Sequence, residues 1–188
     1  MAGHSDEVWG LAFGGGFLFS GSWDMSVKMW DPKERRCKCT LPRHTAKLYT
    51  VAVEDILVAG AWDGTLKLWD YAAQKCLGTL TGHLGTVYAV AFADGLVCSA
   101  SFDGTVKLWD LRSQACAGTL SGHLNSVLAL AFADGVLCSG GGDNVVRLWD
   151  LRAGNESLGT LAGHGGAIFA LTFGYGVLVS GSQDKTVK

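Results

Sequence analysis

The chain contains 188 residues, of which 48% are hydrophobic, and its formal net charge at neutral pH is −2. This apolar fraction is sufficient for a folded core, and the balanced charge predicts neither a nucleic-acid-binding surface nor a basic patch for an anionic membrane. Residues 1–7 lack the basic start and apolar run of a signal peptide, and no apolar run is long enough for a membrane-spanning helix. We therefore expect protein or peptide partners, no nucleic-acid or membrane partner, and a cytoplasmic and/or nuclear location rather than secretion.

The dominant feature of the sequence is a set of histidine, aspartate and Trp-Asp residues that recurs about every 40 residues. Such a period predicts an architecture in which each repeat buries its apolar face against its neighbours. The fifth repeat ends before its Trp-Asp pair, so we expect the sequence to be a fragment of a longer protein. The whole chain, 1–188, is one predicted repeat region, and its repeats occupy approximately residues 4–31, 44–70, 83–110, 123–150 and, incomplete, 164–188.

Within each repeat, short runs of β-branched, aromatic and leucine residues are separated by Gly, Asp, Asn or Ser turns, which predicts an all-β protein. Asp94-Gly95 and Asp103-Gly104 supply residues that tolerate positive φ in tight turns of the third repeat. No segment has a sustained helical period, so no helix is predicted. The runs of the third repeat predict strands over 86–92, 96–101, 105–110 and 115–120.

The segments from Gly82-His83 to Trp109-Asp110 and from Gly122-His123 to Trp149-Asp150 resemble WD40 repeats, and the resemblance covers essentially the whole chain. It implies an all-β WD40 β-propeller, in which each sequence repeat supplies the outer strand of one blade and three inner strands of the next. Four complete four-stranded blades plus a partial fifth are then expected, as an open arc of a seven-bladed propeller. The flanks of an open arc offer unpaired edges to another chain, so self-association is a further expectation.

The WD40 resemblance also implies a buried hydrogen-bonded tetrad in each repeat. In such a tetrad an aspartate accepts from a histidine, and a tryptophan indole N–H donates to a strand hydroxyl. The second repeat has Ala59 and Ala61 where the others have at least one serine, so at most a His44–Asp63 contact is expected to remain of its network. The implied tetrad residues are His4, Ser20, Asp24, Trp30, His44, Asp63, Trp69, His83, Ser99, Asp103, Trp109, His123, Ser139, Asp143, Trp149, His164, Ser180 and Asp184.

Recurring serine, histidine and aspartate residues can also be interpreted as a catalytic triad. A hydrolase needs one such set in a cleft with an oxyanion hole, whereas this set recurs along the chain. Repetition favours a scaffold, so we predict no catalytic residues, no cofactor and no enzymatic activity. Cys37 and Cys39 are too close in sequence for a zinc pair, and no metal site is predicted. Four further cysteines recur with the repeats and are predicted to be small core residues: Cys76, Cys98, Cys116 and Cys138.

Aromatic residues outside the Trp-Asp pairs occupy two positions that the WD40 resemblance places on the narrow top face. One position precedes the turn aspartate, and the other follows the opening residue of the first strand. Aromatic side chains are frequent anchors of protein interfaces, so these residues are the predicted partner-binding surface. The alternative is that individual rings pack between blades. The predicted surface comprises Trp9, Trp23, Tyr49, Trp62, Tyr88, Phe102 and Phe169.

The leading functional hypothesis is a noncatalytic scaffold that captures a peptide or protein segment on this aromatic face. Phe-Ala-Asp-Gly hairpins at residues 92–95 and 132–135, with Cys-x-Gly-Thr-Leu outer strands, resemble the propellers of F-box and RING-type ubiquitin ligase receptors. This resemblance implies a role as a substrate receptor. The alternative is a structural subunit of a larger assembly, such as a ribosome-biogenesis or splicing particle, that uses the sides of its blades.

Overall fold

A computed structural model describes residues 3–41, 44–152 and 154–188, and this part of the chain is all-β. It contains no helix, and therefore none long and apolar enough to cross a membrane. The first sheet contains β1 (Val8–Gly14), β2 (Phe17–Ser22), β3 (Val27–Asp31) and β4 (Arg36–Leu41), paired in that order. The second sheet contains β5 (Leu48–Val53), β6 (Leu57–Ala61), β7 (Leu66–Asp70) and β8 (Lys75–Leu80), also paired in chain order.

The remaining strands repeat this arrangement. The third sheet contains β9 (Val87–Ala93), β10 (Leu96–Ser101), β11 (Val106–Asp110) and β12 (Ala115–Leu120). The fourth contains β13 (Val127–Ala133), β14 (Val136–Gly141), β15 (Val146–Asp150) and β16 (Glu156–Leu161). The fifth contains β17 (Ile168–Gly174) and β18 (Val177–Ser182), and a single antiparallel bridge joins Gly181 to Val187. The prediction of four complete four-stranded sheets and a partial fifth is confirmed.

The third repeat shows how closely the residue pattern predicted the strands. β10 and β12 have the predicted bounds, whereas β9 begins at Val87 and β11 at Val106, one residue later than predicted. Thr86 precedes β9 because its hydroxyl donates to the carbonyl of Trp62, which places it in the connection between two sheets. Asp94 and Gly95 both have positive φ, 46° and 80°, as a tight two-residue hairpin requires.

The chain divides into two compact units, residues 1–90 and 91–188, with the boundary inside β9. In the first unit, β1 and β2 pack against β5 of the second sheet. A Cβ atom at Gly10 would lie 2.8 Å from the backbone nitrogen of Val51, so only glycine permits this close approach. Phe19, Leu48 and Val51 are buried in the resulting core.

The other flank of the first sheet is uncovered in the first unit. Val8, Leu11 and Phe13 of β1 are 47%, 64% and 67% exposed. At the positions of Val8 and Leu11, the second sheet has Leu48 and Val51, which the first sheet buries. Apolar side chains that are core residues in one sheet therefore form an exposed stripe on another.

The second unit uses the same close packing between its own sheets. β13 and β14 pack against β17, and a Cβ atom at Gly140 would lie 2.6 Å from the side chain of Ile168. Ile168 is fully buried with Cys138 and Val146. A small residue on one sheet thus receives a branched residue from the next.

Cysteines at the two repeated positions have different environments. Cys98 and Cys138 are buried, and burial raises the pKa of their thiols to about 12 and about 11. Cys76 is half-buried, whereas Cys116 is exposed on β12. The prediction that all four are core residues is therefore wrong for Cys116, because it belongs to an outer strand whose side chains face solvent.

Candidate functional site

The first sheet contains a complete buried hydrogen-bond network. Nδ1 of His4 lies 2.7 Å from the Asp24 carboxylate, and Nε2 of His4 lies 2.7 Å from the Ser20 hydroxyl. The indole N–H of Trp30 donates to the same hydroxyl at 2.7 Å. When Nδ1–H of a neutral imidazole donates to the carboxylate, Nε2 accepts from the serine, so every buried polar group has a partner.

Comparable networks occur in the second unit. His123 contacts Asp143 and Ser139, and Trp149 donates to Ser139 at 2.8 Å. His164 contacts Asp184 and Ser180, both at 2.8 Å. In the third sheet Trp109 donates to Ser99 at 2.7 Å. The other two predicted members of the tetrad in this sheet are His83, which belongs to the first unit, and Asp103, which belongs to the second.

The second sheet departs from this pattern. Among the described residues, no hydrogen bond joins His44 to Asp63, and the buried Nε2 of His44 and Nε1 of Trp69 have no partner. The expected His44–Asp63 contact is present only as an electrostatic interaction, without a hydrogen bond. Ala59 provides no hydroxyl to bridge the two rings, and the Asp63 carboxylate accepts instead from Thr45 and Thr65.

Burial and hydrogen bonding determine the pKa values of Asp24 and His44. Burial opposes the ionised form of Asp24, but hydrogen bonds from Ser26, His4 and the Ser5 backbone lower its pKa to about 2. The carboxylate therefore stays charged and holds the β2–β3 turn to the connection that precedes β1. Burial lowers the pKa of His44 to about 4, so its unpaired imidazole is neutral at pH 7.

The network of the first sheet does not present an accessible serine nucleophile. In the first sheet, the Ser20 hydroxyl is buried between the rings of His4 and Trp30 and already bonds to both. A nucleophilic hydroxyl needs access to substrate and a nearby oxyanion site. Within the described residues, no group of three or more His, Cys, Asp or Glu side chains is placed to hold a metal ion. The polar networks thus position the turns between strands.

Four of the predicted surface aromatics form a connected cluster, here called the aromatic rim, in the first unit. Trp9 stacks on Trp23 with ring centroids 5.4 Å apart and 17° between the planes. Tyr49 contacts both tryptophans at 5.5 and 5.7 Å, and Tyr88 meets Tyr49 edge-on at 5.4 Å. Such stacked and edge-to-face contacts favour a fixed arrangement of the rings.

A groove lies beside the aromatic rim. Its volume is about 540 Å³, which is within the range of small-ligand sites. Trp23 and Tyr49 line it together with Trp62, and Asp63 and Lys47 supply its charged groups. The Lys47 ammonium lies over the Trp23 ring, 3.9 Å from its centroid, in a cation–π contact. The groove therefore combines flat apolar walls with both signs of charge.

Exposure separates the predicted surface residues into two groups. Trp23, Tyr49 and Tyr88 are half-buried in the ring contacts of the rim, as the packing alternative proposed for individual rings. Trp9 and Trp62 are exposed, and 62% of Trp62 is accessible to solvent. Phe102 and Phe169 are also exposed but belong to the second unit. The structure thus brings together five of the seven residues in one unit.

Sequence reasoning missed Met25, which also lines the groove. Met25 follows the turn aspartate and has a positive φ of 63°, although 46% of its side chain is exposed. A signal was present in the sequence, because Gly64 and Gly104 occupy the same place after Asp63 and Asp103. Methionine at a position that suits glycine was the clue.

Comparison with protein families gives one consistent result. The family model described as "WD domain, G-beta repeat" matches residues 1–31, 35–70, 74–110, 114–150 and 155–188. A search of curated proteins gives no match. The matched segments cover most of the chain, and each complete match after the first contains the fourth strand of one sheet and the first three strands of the next. The chain therefore belongs to the WD40 family.

Proposed function

We propose that the groove beside the aromatic rim captures an extended segment of a protein partner. WD40 repeats are protein-interaction scaffolds and typically noncatalytic, which gives the general class of activity. The observation that carries the proposal is the exposed Trp62 at a groove whose other walls, Trp23 and Tyr49, are held by ring contacts. Preorganised walls lose little conformational entropy on binding, and an exposed tryptophan is a frequent anchor of interfaces.

The experiment selects binding peptides from a displayed random library on the wild-type chain and measures their affinities for variants. Trp62→Ala should weaken binding at least about tenfold, because truncating an interface tryptophan commonly costs 1–2 kcal/mol or more. Leu77→Ala, an exposed residue on the outer strand β8, is the matched control and should leave binding unchanged. Equal affinities for wild type and Trp62→Ala would contradict the proposal.

Two finer roles distinguish how this binding is used. A ubiquitin ligase substrate receptor would capture its substrate through the aromatic residues, and this role is supported by the hairpin and outer-strand motifs. A structural subunit would instead use the sides of its sheets. Replacing Trp62 and Phe102 together with alanine separates the two, because loss of partner capture with folding intact supports the receptor and unchanged capture supports the subunit.

Self-association is a second candidate activity, supported by the exposed stripe of Val8, Leu11 and Phe13. A second copy can cover this stripe in the way that the first sheet covers Leu48 and Val51. Sedimentation velocity should then show a concentration-dependent increase in mass, and Leu11→Glu with Phe13→Glu should abolish it. A constant monomer mass for the wild-type chain would exclude this activity.

A further inference from the structure

The turn that follows the second strand has the same backbone conformation in all five sheets. Its second residue follows the turn aspartate and donates its N–H to the carbonyl three residues earlier. This residue has a positive φ in each case, which suits glycine and asparagine and is unfavourable for most side chains. The five residues are Met25, Gly64, Gly104, Asn144 and Lys185, with φ of 63°, 80°, 80°, 68° and 69°.

The contacts that Met25 makes within its own fold do little to offset the strain of this conformation. Nearly half of its side chain is exposed, and the turn itself is made equally well by Gly64 in the next sheet. At Gly64 a Cβ atom would lie 2.9 Å from the carbonyl oxygen of His83, so that turn has no room for a side chain. Met25 and Lys185 are the two turn residues that place a long, exposed side chain in this conformation, and Met25 is the one that lines the groove, which is a reason to look for a function.

The surroundings of Met25 indicate what that function is. Met25 lines the groove with Trp62, and both side chains are exposed there. Methionine is flexible and polarisable, so it adapts to apolar groups of different shape. A large apolar side chain inserted between Met25 and Trp62 would cover two apolar surfaces that are otherwise in water.

The charges near the groove indicate which second residue of the partner accompanies that apolar side chain. Burial opposes ionisation of Asp63, but hydrogen bonds from Thr65 and Thr45 lower its pKa, so the groove holds a carboxylate at pH 7. Lys47 is the cation of the groove, and it already interacts with the Trp23 ring and with Asp6. A basic residue of the partner is therefore complementary to Asp63.

We infer that Met25 is a specificity-determining contact for an extended peptide segment that carries a large apolar residue two positions from lysine or arginine. This inference rests on the proposed function of the groove and names the chemistry of its partner. Met25 supplies the adaptable wall for the apolar residue, Trp62 a flat aromatic wall, and Asp63 the counter-charge. The partner is a protein segment, because side chains two positions apart on an extended backbone lie on one face and can bring an apolar and a basic group to this groove together.

The test compares dodecapeptides selected from a displayed random library on the wild-type chain. The selected peptides should share a large apolar residue two positions from lysine or arginine. Met25→Gly and Met25→Asn introduce the residue types that the same turn contains at Gly64 and Asn144. Each should raise the dissociation constant at least about fivefold, as expected for loss of one apolar contact. The midpoint of thermal unfolding of Met25→Gly should not fall.

Two outcomes would overturn the inference. If peptides bind in a Trp62-dependent manner but bind Met25→Gly and Met25→Asn as tightly as wild type, Met25 is not a contact and the proposed function stands. If the selected peptides are acidic or lack an apolar consensus, the stated partner chemistry is wrong. If no selected peptide depends on Trp62, the proposed function fails together with this inference.

Discussion

The first and second sheets of the first unit are built from similar sequence but stabilised differently. The first sheet satisfies its buried polar groups through the Ser20 hydroxyl, yet leaves the apolar flank of β1 exposed. The second sheet lacks that hydroxyl and leaves His44 and Trp69 with unpaired nitrogen atoms. Its apolar residues are more completely buried, and every residue of β6 is buried.

This difference teaches that a WD40 sheet can form without its complete polar network when neighbouring strands cover it. Burial of apolar surface is the larger favourable term in folding, whereas the net gain from one hydrogen bond is about 1 kcal/mol. The penalty is local, because an unpaired buried donor or acceptor costs about 1–3 kcal/mol. The second sheet carries this penalty, and the first sheet would acquire it if its serine were lost.

Removal of the Ser20 hydroxyl should have the largest effect. Ser20→Ala leaves the indole N–H of Trp30 and Nε2 of His4 buried without partners, as Trp69 and His44 are in the second sheet. We expect a loss of about 3 kcal/mol in the free energy of unfolding. Urea unfolding followed by tryptophan fluorescence measures it. Ser26→Ala, which removes a half-buried hydroxyl that donates to Asp24 but leaves the Ser20 bonds to His4 and Trp30 in place, is the control, and an equal loss in both variants would contradict the explanation.

Acidification should reveal the unpaired His44. Its pKa is about 4 in the folded chain and about 6.5 in the unfolded chain, so the unfolded chain binds a proton first as pH falls. Stability is therefore unaffected by His44 above pH 6.5 and should fall by about 2 kcal/mol as the pH is lowered to about 5. Urea unfolding across this range should show a smaller decline for His44→Gln. Identical pH dependence in the two proteins would refute the assignment.

Restoring the missing hydroxyl should have the smallest effect and the opposite sign. In Ala59→Ser, the new hydroxyl occupies the position that corresponds to Ser20, between the rings of His44 and Trp69, whose centroids are 5.6 Å apart. We expect a gain of about 1 kcal/mol in the free energy of unfolding. The same substitution in a Trp69→Phe background should gain less, because the indole donor is absent. An equal gain in both backgrounds would show that the hydroxyl does not bond to Trp69.

Repetition made much of this structure predictable. The bounds of β10 and β12 and the partial fifth sheet follow from residues whose spacing recurs, and the partners of Ser20 follow from the WD40 resemblance. What could not be predicted depends on contacts between unlike residues. The Lys47–Trp23 contact, the exposure of Cys116 and the reassignment of Asp63 to Thr45 and Thr65 each depend on geometry that no periodic pattern contains. The surface role of the aromatic residues remains a prediction.

The most direct test of the groove uses the indole N–H signals of the tryptophans in a two-dimensional ¹H–¹⁵N NMR spectrum. Trp9, Trp23 and Trp62 lie at the rim and groove, whereas the other four tryptophans, Trp30, Trp69, Trp109 and Trp149, are buried in the sheets. Titration with a selected peptide should shift the signals of the first three and leave the other four unchanged. Shifts confined to the buried tryptophans, or no shift at Trp62, would contradict binding in this groove.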